Sequence, residues 1–343
     1  MSGSLRRQQW YRFKQTRRGF VSLIIFAILF VISMAAELIA NDKPLLVRYQ
    51  QQWYLPIIHE YSETDFGGDF DTAANYRDPY VIDLINDAGW MLWPPIPFHY
   101  TTIIQDLDQP APAPPSARNW LGTDDTGRDV LARILYGFRV SVLFGFALTI
   151  MSSAIGIVVG AVQGFYGGRV DLVGQRLIEV WSGMPVLFVL IILANFIKPS
   201  FWSLLGIMLL FSWMSLVDVV RAEFLRCRNL EYVRAAKALG VRDWRIMQRH
   251  IFPNAMVATL TFMPFILSGS VTTLTSLDFL GLGLPLGSAS LGELLAQGKN
   301  NLHAPWLALS AFFTLGILLS LLTFIGEAVR NAFDPRTREA NGT

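Results

Sequence analysis

Serine and threonine crowd one stretch of this 343-residue chain. Ser268, Ser270, Thr272, Thr273, Thr275 and Ser276 place six hydroxyls within nine residues of an otherwise apolar run. Ser268, Thr272 and Thr275 stand at i, i+4 and i+7, which is one face of a helix. Hydroxyls in such a place have two uses. They can bond back to carbonyls one turn earlier, which lets them sit in an apolar helix with no ligand. They can also line a water-accessible path through a membrane, where polar groups tend to mark function. The residues alone leave both uses open.

Other chemistries find little support. The one cysteine, Cys227, excludes an intramolecular disulfide, and His59, His99, His250 and His303 stand apart from one another and from it, so no metal-ligand spacing exists and no metal is expected. A phosphate-binding loop needs Gly-x-x-x-x-Gly-Lys-Ser/Thr. The nearest approach, Gly292 to Asn300, has five residues between its glycines and Asn after Lys299, so any nucleotide chemistry belongs to a partner chain and this chain is not expected to be an enzyme. A net charge of +2 argues against nucleic acid. Glu37, Arg139 and Asp218 fall near the ends of apolar runs rather than in their middles, which argues against a self-sufficient proton- or ion-coupled carrier, the alternative reading.

Two further patterns concern helix contacts. Ser152, Gly156, Gly160 and Gly164 recur every four residues, a row of small side chains that lets another helix approach closely. The stretch Glu231 to Pro253 reads as two short amphipathic helices at an angle. In the first, Tyr232, Ala235, Ala236 and Leu239 are expected on one face, with Glu231, Arg234 and Lys237 turned elsewhere. Gly240 ends it in a left-handed cap. Asp243 is expected to cap the second, with Trp244, Met247 and Ile251 as its apolar face before Pro253 opens the next helix. The apolar faces could lie against a partner or against the membrane surface.

The elements that must hold these residues are set by composition. The chain is 52% hydrophobic and 16% charged, with a mean hydropathy of +0.40, so the lipid bilayer is its expected solvent. Six apolar runs are long enough to span it: Phe20 to Ile39, one within Val140 to Gly168, Val180 to Ile197, Ser200 to Val217, one within Ile251 to Leu277, and Pro305 to about Gly326. The predicted fold is an all-α polytopic membrane protein of six transmembrane helices. Arg6, Arg7, Arg12, Lys14, Arg17 and Arg18 mark a cytoplasmic N-terminus (1–19) and an uncleaved first span (20–39). Residues 40–139 carry 14 acids against seven basic residues and are placed outside as an extracytoplasmic insertion between helices 1 and 2. Residues 140–330 form the core, with a basic cytoplasmic loop at 219–253 and a cytoplasmic tail at 331–343. Within the insertion, Tyr54 to Trp93 has enough aromatic residues to pack a small subdomain, and Gln109 to Ser116 reads as an extended, proline-rich linker.

The 231–253 stretch resembles the cytoplasmic loop of ATP-binding cassette (ABC) importer permeases, Glu-Ala-Ala-x3-Gly-x9-Ile-x-Leu-Pro. Ala235, Ala236, Gly240 and Pro253 match in place, while Arg234, His250 and Phe252 depart from the pattern. Leu121-Gly-Thr-Asp-Asp-Thr-Gly-Arg-Asp, Tyr166-Gly-Gly-Arg-Val-Asp and Ser276-Leu-Asp-Phe-Leu-Gly-Leu-Gly are similar to motifs of the dipeptide and oligopeptide permeases, specifically the second of their two permease subunits, and the match runs from Trp120 to Pro335. The long segment from Asn41 to Arg118 resembles the Yej-type importers of Gram-negative inner membranes, associated with oligopeptides and the peptide-nucleotide antibiotic microcin C. The resemblance implies a permease that pairs with a sister subunit, an ABC ATPase with two nucleotide-binding domains that holds ATP and Mg, and a periplasmic peptide-binding protein. It also implies that Tyr232, Arg234, Ala235, Ala236, Leu239, Gly240, Trp244, Met247 and Pro253 belong to the loop that meets the ATPase.

Overall fold

A computed structural model of the chain describes residues 2–194 and 196–333; the tail from Asp334, with Pro335, lies outside them. The chain opens with α1 (Ser2–Gln15), α2 (Arg17–Met34) and the single turn α3 (Ala36–Ile39). A small subdomain follows, made of β1 (Leu46–Tyr49), β2 (Gln52–Tyr54), α4 (Pro79–Ala88) and β3 (Gly89–Leu92). Its antiparallel sheet runs β2-β1-β3, with Val47 facing Tyr54 on one side and Met91 on the other. The fully buried Phe66 ring centres it, 5.0 Å from the Tyr54 ring and 5.7 Å from those of Tyr49 and Tyr76. The aromatic residues of Tyr54 to Trp93 therefore supply a core of their own. Gln109 to Ser116 is not the free linker expected of its prolines. Ala113 is buried, its N–H donating to the Thr123 hydroxyl (2.8 Å) and its carbonyl accepting from the Thr123 N–H (2.9 Å).

The rest is helical: α5 (Val130–Tyr166), α6 (Gly168–Ser182), α7 (Val186–Ala194), α8 (Phe201–Ser212), α9 (Met214–Cys227), α10 (Glu231–Ala238), α11 (Asp243–Ile246), α12 (Phe252–Phe279), α13 (Leu291–Asn300) and α14 (Pro305–Phe333). Among the described residues, five helical stretches are long and apolar enough to cross a membrane: α2, α5, α8 with α9, Asp243–Phe279, and α14. α6 with Val186–Leu193 makes a sixth if the pair is one span.

Several spans differ from their hydropathy limits, each for a local reason. The second helix starts at Val130 rather than near Val140, because the Asp129 carboxylate accepts from the Ala132 N–H (2.8 Å) and the charges of Arg133 and Arg139 are matched by acids. At 37 residues it is about 55 Å long, well beyond a ~30 Å hydrocarbon layer. The third is not one straight run from Val180 to Ile197. α6 and α7 bend by 67° across Gly183 to Pro185, where proline supplies no N–H. The fourth continues past Val217 to Cys227, because Val220, Phe224 and Cys227 repeat at i, i+4 and i+7 and are all buried. The fifth does not start at a break before Pro253. α11 runs through a π-turn at Met247–Ile251 directly into α12. A π-turn absorbs the N–H that Pro253 lacks without parting the helix.

Candidate functional site

The Glu231 loop folds back on the helices that flank it. α10 ends in a glycine cap: Gly240, at φ +74°, donates to the Lys237 carbonyl (3.0 Å) while Val241 donates to that of Ala236 (3.1 Å). This pair of bonds defines the Schellman motif and requires the left-handed conformation glycine adopts freely. The reversal lays Val233 and Ala236 of α10 onto Ile246, Met247 and Ile251, in one cluster with Phe165 of α5 and Leu216, Val220, Phe224 and Cys227 of α9. The Lys237 ammonium lies 4.6 Å from the centre of the Phe165 ring. Tyr232 ties α10 to the π-turn, its hydroxyl donating to the His250 carbonyl (3.4 Å) and accepting from the Asn254 amide (3.1 Å).

This arrangement divides the expected loop residues in two. Tyr232, Ala235, Ala236 and Leu239 do not share one face. Ala236 is 7% exposed and Met247 6%, both inside the chain's own core, whereas Leu239 is 83% and Trp244 66% exposed. Tyr232, Arg234, Ala235 and Pro253 also face outward. The expected face mixed positions that point in opposite directions, because the inward pair is Val233 and Ala236, three residues apart. Val233 and Ile246 were missed as anchors, whereas Met247 and Ile251 of the expected second face are buried; the signal available was that apolar i, i+3 pair. Asp243 caps nothing with its side chain; it is the first helical residue, after Arg242.

The row Ser152, Gly156, Gly160 and Gly164 lies along α5 where α9 crosses it. A β-carbon at Gly156 would stand 2.6 Å from the Trp213 carbonyl oxygen, one at Gly160 2.7 Å from that of Val217, and one at Gly164 2.6 Å from that of Arg221. Ser152 is buried and donates to the Thr149 carbonyl. Backbone thus meets backbone along three turns. Arg228 extends the seam by donating to the carbonyls of Gly164 and Phe165 at the end of α5, and Arg221 of α9 grips Asp171 of α6.

Of the hydroxyls in α12, Thr275 and Ser270 turn into the bundle, Ser268 is partly covered, and Thr272, Thr273 and Ser276 are exposed. Ser268, Ser270, Thr272, Thr275 and Ser276 each donate to the carbonyl four residues earlier. The expected row of Ser268, Thr272 and Thr275 therefore splits, because it straddles the edge of the buried face, Thr272 lying about 60° around the helix from Thr275.

At the opposite end of the bundle lies a buried ion cluster that hydropathy does not mark. The Arg128 guanidinium holds Asp124 at 2.8 Å and Glu293 at 3.4 Å, and that of Arg133 holds Asp124 at 3.2 Å and Glu293 at 3.1 Å. Asp124 and Arg133 are fully buried. Arg133 also donates to the Ser288 carbonyl (2.9 Å). The cluster clamps the start of α5 to α13, whose first turn is fixed by Ser290: its hydroxyl donates to Asp278 (2.5 Å) and accepts from the N–H groups of Gly292 and Glu293. The sequence signal of this site was the Leu121 to Asp129 motif, which carries Asp124 and Arg128 but not their partners Arg133 and Glu293.

Comparison with known proteins fits this architecture. Residues 140–339 match the family described as binding-protein-dependent transport system inner membrane component, and residues 4–66 match the N-terminal transmembrane domain of oligopeptide transport permease C. The chain is 63% identical to the Inner membrane ABC transporter permease protein YejE of Escherichia coli K12, over 95% of this chain and 96% of that protein. It is 55% identical to the Peptidoglycan transport system permease protein YejE of Agrobacterium fabrum, over 96% and 93% of the two. With the Oligopeptide transport system permease protein OppC of Bacillus subtilis it shares 34% identity, over 67% and 75%. A helical bundle with an apolar knob at one end and a family match across its core together place the chain among the inner-membrane permease components of binding-protein-dependent transport systems.

Proposed function

We propose that this chain is one permease subunit of an ABC importer that moves peptides across the inner membrane, powered by ATP hydrolysis in a partner. The observation that carries the reading is the two-sided knob at Glu231 to Ile251. Its inner face is built into α5, α9 and α12 at once, and its outer face leaves Leu239 and Trp244 largely exposed, with Tyr232 partly so. Interface energy concentrates in such exposed aromatic and apolar positions. A partner gripping them would move three membrane helices together. ATP and Mg belong to that partner, an ATPase with two nucleotide-binding domains; a sister permease completes a heterodimer, and a periplasmic peptide-binding protein delivers cargo. Relatives named for oligopeptides and for peptidoglycan share peptide as their common chemistry, and microcin C belongs to the same class. Thr272, Thr273 and Ser276, exposed on α12, would face the path between the two permeases.

The basic residues of the knob and of α1 put both, with the C-terminal end of α14, on the cytoplasmic side and the sheet subdomain outside. Single cysteines at Asp65 and Arg228, in a chain lacking Cys227, should then label from opposite sides of the membrane; labelling from the same side would overturn the topology. In proteoliposomes holding the assembled complex, uptake of a labelled tripeptide should require ATP and the ATPase. Uptake that persists without the ATPase would instead favour a self-sufficient channel or carrier.

A further inference from the structure

A cleft of about 960 Å³ opens on the flank of the sheet subdomain, away from the helical bundle's hydroxyls and from the knob. Two of its lining residues, Arg77 and Arg118, pack on the fully buried Phe98 ring behind it. Their guanidinium groups converge on that ring, Arg77 at 4.4 Å from its centre and Arg118 at 5.3 Å. Arg118 is already matched, forked onto Asp106 by bonds of 2.7 and 3.2 Å. Arg77 is not. It donates to the Pro97 carbonyl, and among the described residues no carboxylate lies within ion-pair distance of it. Burial and then the neighbouring Arg118 charge hold the Arg77 guanidinium below its usual range, with Asp106 and Asp42 acting the other way. A partly desolvated cation beside a second cation is a place where an anion is favoured, and the planar fork of a guanidinium suits a carboxylate best.

The same cleft holds the converse group. Asp42 accepts from the Thr102 hydroxyl (3.1 Å) and, among the described residues, has no lysine or arginine at ion-pair distance. The same cleft is lined by the apolar Ile82, Trp93 and Ile103, with Gln105 able to bond a peptide main chain. A simple inorganic anion would be repelled by Asp42 and Asp106, and a simple cation by the arginine pair. A zwitterion with an apolar body meets all of them, and the volume is that of a small-molecule site.

We propose that this cleft binds a short peptide by its two ends, Arg77 taking the carboxylate and Asp42 the amino group. It is a holding site on the sheet subdomain, separate from the path through the bundle. Its use in import rests on the peptide-importer reading; the binding itself does not.

The test uses the full chain in lipid nanodiscs and calorimetric titration with tri-alanine, tri-alanine amide and N-acetyl-tri-alanine. Tri-alanine should bind saturably. A charge-assisted bond of ordinary strength makes the amide about tenfold weaker or more, and the acetylated peptide should weaken similarly. In Arg77→Gln the acid and the amide should bind alike, and in Asp42→Asn the free and acetylated peptides should bind alike. Equal binding of acid and amide to the unaltered chain, or no binding, overturns the proposal without any variant having to fold. Tri-alanine binding that is unchanged in Arg77→Gln but lost in Thr272→Val places the peptide in the bundle and also overturns it. If purified substrate-binding protein, and not tri-alanine, loses affinity for the chain in Arg77→Gln, the cleft is a docking surface and the proposal falls. Peptide import by the complex with no acid–amide discrimination by this chain removes the holding site and leaves the importer reading intact; the converse result does the reverse.

Discussion

The two ends of the bundle are held in opposite ways. At the end bearing the sheet subdomain, Asp124, Arg128, Arg133 and Glu293 pair with one another and lock α5 to α13, so charges are enclosed there. At the knob end the enclosed groups are apolar, Val233, Ala236, Ile246 and Met247, and the side chains left outside include the apolar Leu239 and Trp244 beside the charged Arg234, Arg242 and Arg245. Enclosed charge gives direction and register at a desolvation cost. Exposed apolar surface asks for a second molecule. The difference separates a fixed brace from a surface built to be gripped.

The sharpest way to break this contrast is to put a charge into the apolar end. Ala236→Glu would bury an unpaired carboxylate among Phe165, Phe224 and Ile251, at a cost above about 4 kcal/mol. Membrane abundance of the variant should collapse, as measured by quantitative immunoblot against the unaltered chain. A variant that accumulates normally would mean that Ala236 faces a partner and not the core.

Removing a charge from the charged end should come next. Arg133→Met leaves Asp124 and Glu293 half-partnered, and breaking a buried pair costs about 3–5 kcal/mol. The thermal midpoint of the detergent-purified chain should fall clearly, and it should recover in part when Glu293→Gln is added, since the stranded acid is then gone. No recovery would show that the two do not act as one cluster.

Between the ends, the seam of α5 and α9 can be wedged open. In Gly160→Val a β-carbon would stand 2.7 Å from the Val217 carbonyl oxygen and 2.9 Å from the Val220 β-carbon, and overpacking of this kind costs about 1–3 kcal/mol. Gly206→Ala, where an added β-carbon meets nothing within 4 Å, is the control and should not lower the thermal midpoint, since alanine suits a helix interior better than glycine.

The smallest effect on stability is expected at the outer face of the knob. Trp244→Ala and Leu239→Ser touch exposed residues and should shift stability by less than about 0.5 kcal/mol, yet the ATPase should no longer co-purify at equal membrane abundance. If the ATPase stays bound to both variants, the grip lies elsewhere.

Much of this was legible in the chain itself. Apolar run lengths specify membrane helices because only helices satisfy every backbone group in hydrocarbon, and the four-residue recurrence from Ser152 to Gly164 marks a close helix contact because no other side chain lets two backbones meet. The spacing of Ala235, Ala236, Gly240 and Pro253 was enough to point to the knob, since a glycine that must be left-handed ends a helix wherever it falls. What the sequence could not decide was direction. Whether Ala236 or Ala235 points inward depends on where α5 and α9 lie, because the i, i+3 pair of Val233 with Ala236 competes with that of Tyr232 with Ala235. The start of α5 at Val130 was hidden for a related reason. Arg133 reads as a surface charge until Asp124 and Glu293, the second of them 160 residues away, are brought to it by folding. Local periodicity and composition are properties of neighbours along the chain, and the chain determined them; the pairing of charges and the choice of a buried face are properties of neighbours in space, and those the tertiary structure alone decided.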